Sequence, residues 1–235
     1  MASKTRRDAA PKVRDLTRAK VVAATLRLID GAGADAVTMR GVAEAVGVTP
    51  MALYNHFSSK GALLAAVAES VIAAADFDGG QGPWRERILH CFCVVRRLCL
   101  EHPGLPRLLE VDGAVPVAAF APMEVALRAL RESGLDDVDA TRTYFLLMGY
   151  TLTQAAYQTR RVPELEPSED VRAERIAGRG YPSVERLDIP AAWDFDASFA
   201  FGISLIIAGV EATVAGRGMS GKRIEAGQKS RRRRP

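Results

Sequence analysis

The sequence predicts an all-α protein in which a small N-terminal three-helix unit precedes a larger helical domain. Three observations carry this. Apolar residues recur at helical spacing nearly throughout, and alternating β-branched runs are absent. Thr or Ser stands ahead of four successive N-terminal apolar patterns, where helix N-caps belong. The stretch DFDGGQGP, residues 76–83, then breaks the pattern with glycines and a proline.

The elements follow in order. Residues 1–15 read as a disordered basic arm with no apolar core, which argues against a secretory signal. A first helix starts behind Thr17, places Val22, Leu26 and Ile29 on one face, and stops at Gly31 and Gly33. A second runs from Met39 to Val46 behind Thr38, and Gly47-Val48 forms the turn. A third runs from Pro50 to His56, with Thr49 as cap and Pro at its first position. Ser58 or Ser59 caps a fourth that reaches Ala75 and closes a head domain over residues 16–75. Beyond the break, helices are expected from Trp84 to His102, around Leu105 to Glu110, from Pro122 to Ser133, from Val138 to Arg160 and from Phe195 to Ala215. Residues 162–192, with four Pro and many charges, read as a loop with one helical turn. The body domain therefore spans 84–216, and the basic tail 217–235 is disordered by composition.

The net charge of +4 conceals a segregation. Residues 1–60 carry 10 Lys/Arg against 5 Asp/Glu, residues 61–216 carry 14 against 22, and residues 217–235 carry 8 against 1. A basic head calls for a polyanionic partner, and an acidic body for some other task. Cys91, Cys93 and Cys99 crowd into one short window, which suits buried apolar thiols in a reducing cytoplasm rather than a disulfide framework. The longest apolar run, Ala197 to Val210, is short for a membrane span and suits a buried helix, so a cytoplasmic chain without a membrane partner is expected.

The stretch VTMRGVAEAVGVTPMALYNHFSSKGALL, residues 37–64, joins two short amphipathic helices through Gly47, whose freedom at positive φ suits a tight interhelical turn. Val22, Leu26, Ile29, Met39, Val42, Val46, Leu53 and Phe57 can share one core, with Ala43 small at the crossing. This is a helix-turn-helix pattern, in which the second helix enters the major groove. Its polar residues then share one purpose. Thr38 and Thr49 stand at helix N-termini, where free N–H groups and the dipole favour phosphate. Tyr54 offers a hydroxyl and Lys60 a charge to the DNA backbone. Arg40 is long enough to reach a guanine edge, and Pro50, Met51 and Ala52 can touch thymine methyls. Asn55 and His56 are further candidates.

The run VGVTPMALYNHFSSKGALL resembles the DNA-binding domain of the TetR family of bacterial transcriptional repressors. WRERILHCFCVVRRLCLEHPG and FAFGISLIIAGVEATV are similar to the ligand-binding domain of the tetracycline repressor subgroup. The resemblance covers residues 17–75 strongly and 84–215 more weakly. It implies DNA-contact roles for Thr38, Arg40, Pro50, Met51, Ala52, Tyr54, Asn55, His56 and Lys60, with Met51 and Ala52 at positions that vary between members. It also implies a homodimer closed by a four-helix bundle, two helices from each protomer. The stripe Phe199, Gly202, Ile203, Ile206, Gly209 and Val210 is the expected interface.

A sensor pocket is expected among Cys91, Val95, Leu98, Met123, Leu127, Tyr144, Phe145, Met148, Gln154 and Tyr157, a wall that suits a largely apolar small molecule with few polar anchors. Tetracycline-binding members hold the drug's magnesium with one His after the fifth helix and another in the long helix. Here GLPRLLEVDG has no His, and LLMGYTLTQ has Tyr150 where an imidazole is expected. This departure points away from a magnesium–tetracycline ligand, and no metal or cofactor is expected. An enzyme is not expected either: GxSxG, HExxH and P-loop patterns are absent, and Glu86, His90 and Cys93 read as a solvated face. The competing reading is an architectural, nonspecific DNA binder led by the run Arg231–Arg234.

Overall fold

The structure, a computed structural model, describes residues 16–109, 116–160, 174–186 and 194–231. The elements among them are α1 (Arg18–Ala32), α2 (Met39–Val46), α3 (Pro50–Tyr54), α4 (Lys60–Ala73), α5 (Trp84–Glu101), α6 (Leu105–Leu108), a 3-10 turn (Val117–Ala119), α7 (Phe120–Glu132), α8 (Asp137–Arg160), α9 (Pro182–Glu185) and α10 (Phe195–Arg231). No strand occurs among the described residues. The expected caps are formed by Thr17, Thr38 and Ser59, whose hydroxyls accept from the N–H groups of Lys20, Gly41 and Ala62.

Two compact units emerge: Met1–Asp76 with Arg97–Pro122, and Phe77–Arg96 with Met123–Pro235. The end of α5, α6 and the 3-10 turn thus group with the head, where the sequence placed them in the body.

In the first unit α1 packs on α2 and α4, and α2 on α3. Val21, Ile29, Val42, Leu53, Phe57, Leu63 and Val67 form the core, each at most 2% exposed. Burying side chains of this size contributes about 1.5–3 kcal/mol apiece. Ala43, 1% exposed, is the small residue that lets α2 and α3 approach. The returning segment seats on the end of α1. His102 Nδ1 lies 3.2 Å from both carboxylate oxygens of Asp30, and a Cβ on Gly104 would come 2.6 Å from Ile29 Cγ2. Further along, Glu69 of α4 accepts the N–H of Ala118 at 2.9 Å.

The second unit centres on α8 and α10, which pack together. Ile88, Phe92, Leu130, Leu147, Phe199 and Ile203 fill its core. A half-buried cation bridges three elements of this unit. Arg96 donates to Gln158 at 2.6 Å, pairs with Asp196 at 2.7 Å and lies over the Phe199 ring at 4.8 Å. A guanidinium largely withdrawn from water needs such partners, because desolvating a charge without them is costly. Arg85–Glu211 and Arg87–Glu132 tie α5 to α10 and α7, and Arg217 pairs with Asp136 and Asp139 at the start of α8.

Four expectations are corrected. Helix α3 ends at Tyr54, two residues early, because the N–H groups of His56 and Phe57 both turn back onto the Leu53 carbonyl. Helix α7 begins at Phe120 rather than Pro122, since Pro is tolerated in a first turn. Helix α10 continues to Arg231, past the expected end at Ala215 and into the tail read as disordered. Gly216, Gly218 and Gly221 weaken it, but no proline intervenes and extending a helix needs no new nucleus. Finally, α10 is not a buried helix. Its segment Phe195–Arg217 is long and apolar enough to cross a membrane by length and composition, and 17% of that window is buried. Among the thiols, Cys93 is exposed and only Cys91 and Cys99 are buried. The arm 1–15, most of the run Arg231–Arg234 and much of the loop 162–192 lie outside the described residues.

Candidate nucleic-acid interface

Gly47 adopts φ 72° and ψ 34°, the left-handed conformation, and its N–H returns to the end of α2. Val48 N–H then reaches the Ala43 carbonyl at 2.9 Å, so the turn satisfies the last carbonyls of α2 before α3 begins. Thr38 uses its hydroxyl oxygen as cap, accepting from Gly41 at 3.0 Å, whereas Thr49 makes no side-chain cap bond.

This geometry sorts the expected contact residues. Arg40, Thr49, Pro50, Met51, Tyr54 and Asn55 are exposed, Met51 at 72% and Tyr54 at 48%. An apolar side chain as bare as Met51, at the first turn of a helix capped by an untied Thr, is positioned for an external surface. Thr38 is exposed, and His56 and Lys60 are half-buried. Lys60 directs its ammonium to the Asp35 carbonyl at 3.4 Å. Ala52 is corrected: at 7% exposure its methyl faces inward with Leu53, so it has little surface to offer a thymine. One contact gave no sequence signal. Arg18, at the start of α1, donates to the His56 carbonyl at 2.8 Å and lies 4.3 Å from the Phe57 ring centre. The partners are 38 residues apart, beyond any periodicity.

The expected sensor residues divide too. Cys91, Val95 and Tyr144 are buried, and Met123, Leu127, Met148 and Gln154 are half-buried. Tyr144 meets Phe92 at 6.3 Å between ring centres. Burial pushes the Tyr144 phenol up to about 12, with Cys91 adding to the effect. Burial likewise raises the Cys91 thiol to about 12, with Asp78 contributing. Both groups stay protonated at neutral pH, so this wall is neutral and largely apolar. Leu98 is buried but belongs to the first unit. Phe145 and Tyr157, 61% and 68% exposed, point to the outside of α8 and are corrected as pocket walls within the protomer. Among the described residues no group of three or more His, Cys, Asp or Glu could hold a metal ion.

The expected dimer stripe is also split. Phe199, Ile203 and Val210 are buried within the chain, at 2%, 0% and 6%, because they face α8. Tyr150 covers Gly202, so that glycine's close approach is made inside the protomer. Ile206 is half-buried and Gly209 is exposed. The free apolar face is carried by Phe201, Leu205, Phe145, Leu146 and Val138, each more than half exposed. Beside it lies a groove of about 500 Å³ lined by Leu135, Leu146, Leu205, Ile206 and Val210.

A helix-turn-helix head with an exposed second-helix face, followed by a helical domain, defines a DNA-binding regulator. The family comparisons agree. Residues 21–67 match the model for bacterial regulatory proteins of the tetR family, and residues 78–214 match the tetracyclin repressor-like C-terminal domain. The chain belongs to the TetR family of transcriptional regulators. It is 30% identical to the HTH-type transcriptional repressor DrrR1 of Streptomyces coeruleorubidus, over 86% of this chain and 80% of that one. Its fold is similar to ActR of Streptomyces coelicolor in complex with actinorhodin, with a TM-score of 0.68 at 27% identity, covering 85% of this chain and 98% of that one. It is also similar to BioQ with its double-stranded DNA operator, with a TM-score of 0.62 at 27% identity, covering 84% and 99%.

Proposed function

We propose that the chain is a cytoplasmic, ligand-responsive repressor that binds a palindromic operator as a homodimer and is released by a small, largely apolar molecule. The observation that carries this is the left-handed Gly47 turn, which presents α3 with Arg40, Pro50, Met51, Tyr54 and Asn55 all exposed. Arg40 serves guanine, Met51 and Pro50 serve thymine methyls, and Thr38, Thr49, Tyr54, His56 and Lys60 serve the phosphates. BioQ with its operator and ActR with actinorhodin support the two binding roles by analogy.

A dimer places two such helices roughly 34–36 Å apart, one helical turn of DNA. The protomers join through the outer faces of α8 and α10, where Phe201, Leu205, Phe145 and Leu146 are uncovered. The ligand lies against the neutral wall of Cys91, Val95, Met123, Leu127, Tyr144, Met148 and Gln154, and its binding disfavours the DNA-competent spacing. A coupling of about 1–3 kcal/mol between the sites is typical.

Selection of bound sequences from a random DNA pool tests the reading. An enriched palindrome with half-sites one turn apart supports it. Binding without an enriched site, weakened by removing residues 217–235, would instead favour the nonspecific reading built on the basic ends.

A further inference from the structure

We infer that Arg18 is a positioning residue for the DNA-facing turn that follows α3, acting through the His56 carbonyl and the Phe57 ring rather than by gripping phosphate. This rests on the operator-binding reading above. Helix α3 is only five residues long, Pro50–Tyr54, and cannot hold its own C-terminal end rigidly. The turn after it carries Asn55 and His56, next to the exposed Tyr54. The N–H groups of His56 and Phe57 both spend themselves on the Leu53 carbonyl at 2.9 Å. The His56 carbonyl points beyond the helix and is taken by the Arg18 guanidinium at 2.8 Å. The same guanidinium lies over the face of Phe57, 4.3 Å from its centre. Phe57 is 2% exposed, so its ring is fixed in the core of the head. The cation thus lies over a ring buried in the core while one of its N–H groups clamps the turn after α3.

Thr17 anchors the other end of the device. Its hydroxyl accepts from Lys20, which fixes the first turn of α1 and with it the base of the Arg18 side chain. The clamp therefore ties the first turn of α1 to the turn that closes the recognition helix. Lysine cannot replace arginine here: it has no plane to stack and no fork to direct a donor along the ring face.

The test uses the full-length chain and the site obtained by selection. Operator affinity is measured across a salt series for the wild type, Arg18→Lys, Arg18→Gln, Phe57→Leu and Arg18→Lys/Phe57→Leu, with thermal melts to establish that each is folded. Arg18→Lys and Arg18→Gln should both bind about tenfold more weakly, with the wild-type dependence of log K on log salt. Phe57→Leu, which keeps an apolar side chain but removes the ring face, should give a similar loss, and the double variant should lose no more than either single one. The inference is overturned if Arg18→Lys binds like the wild type while Arg18→Gln flattens the salt slope by about 0.9, the signature of a lost phosphate contact. It is equally overturned if the Arg18 and Phe57 effects add. A wild-type chain that enriches no site removes the operator reading and this inference with it, an outcome distinct from both.

Discussion

Tyr150 of α8 lies directly across Gly202 of α10, so closely that a Cβ at residue 202 would overlap the phenol ring. The ring is held there from two sides. Its hydroxyl donates to the Ser198 carbonyl at 2.7 Å, and it stacks on Phe199 with 5.9 Å between centres and 9° between planes. The glycine is therefore a packing requirement of the protomer. Gly202→Ala should lower stability by about 1–3 kcal/mol, the usual range for overpacking. Gly209, seven residues on, has nothing within 4 Å of the position its Cβ would take. Gly209→Ala should be neutral or stabilise by up to about 1 kcal/mol through helix propensity. Urea unfolding of both variants checks the contrast, and equal losses would mean that the close approach at Gly202 is not what holds the helices.

Gly47 makes a different demand, on its own backbone. At φ 72° a side chain meets its own carbonyl, so Gly47→Ala should cost about 1–2 kcal/mol of head stability. Gly47→Asn should cost less, because Asn tolerates this conformation. Operator affinity should follow the same order, wild type above Asn above Ala, since the turn sets the angle between α2 and α3. Affinity that ignores this order while the melts obey it would separate the turn from recognition.

The thiols give a pH-dependent test. Burial raises Cys91 to about 12 and Cys99 to about 11, from an ordinary 9.0. Above that ordinary value the unfolded chain loses these protons and the folded chain keeps them. Stability from this source is thus complete below pH 9 and falls as pH rises from 9 towards 11–12. Cys99→Ala should shallow that decline. At pH 8 a thiol reagent should label Cys93, the exposed thiol, quickly, and reach Cys91 and Cys99 only on unfolding. Rapid labelling of all three would contradict the packing of α5.

Much of the head was legible because its signals are local. Thr17, Thr38 and Ser59 cap helices as their positions announced, and Gly47 turns where two amphipathic patterns meet. Ala52 was misplaced because a five-residue helix is too short for its phase to be read from periodicity. Helix α10 was harder for the opposite reason. It is apolar on nearly every side, with Phe199 and Ile203 alternating with Phe201 and Leu205, so the pattern shows no inner face. Only packing against α8 separates the buried pair from the exposed one. Arg18 with His56 and Arg96 with Asp196 escape the sequence altogether, because each joins residues from distant helices.

That division of α10 decides where the proposed dimer should be broken. Phe199 and Ile203 belong to the protomer core, so a charge there unfolds the chain and says nothing about association. Leu205 is 56% exposed on the protomer and sits at the edge of the groove that Leu146 and Ile206 line. Leu205→Glu leaves the protomer core untouched but would bury a charge from each protomer in the proposed interface. An unpaired buried charge costs several kcal/mol, enough to shift association by orders of magnitude. Sedimentation should show a folded dimer for the wild type and a folded monomer for Leu205→Glu. Because a palindromic site needs both recognition helices on one particle, operator affinity should fall at least a hundredfold. A variant that stays dimeric would place the interface elsewhere. One that becomes monomeric yet keeps full affinity would sink the two-headed reader and leave each protomer to bind DNA alone.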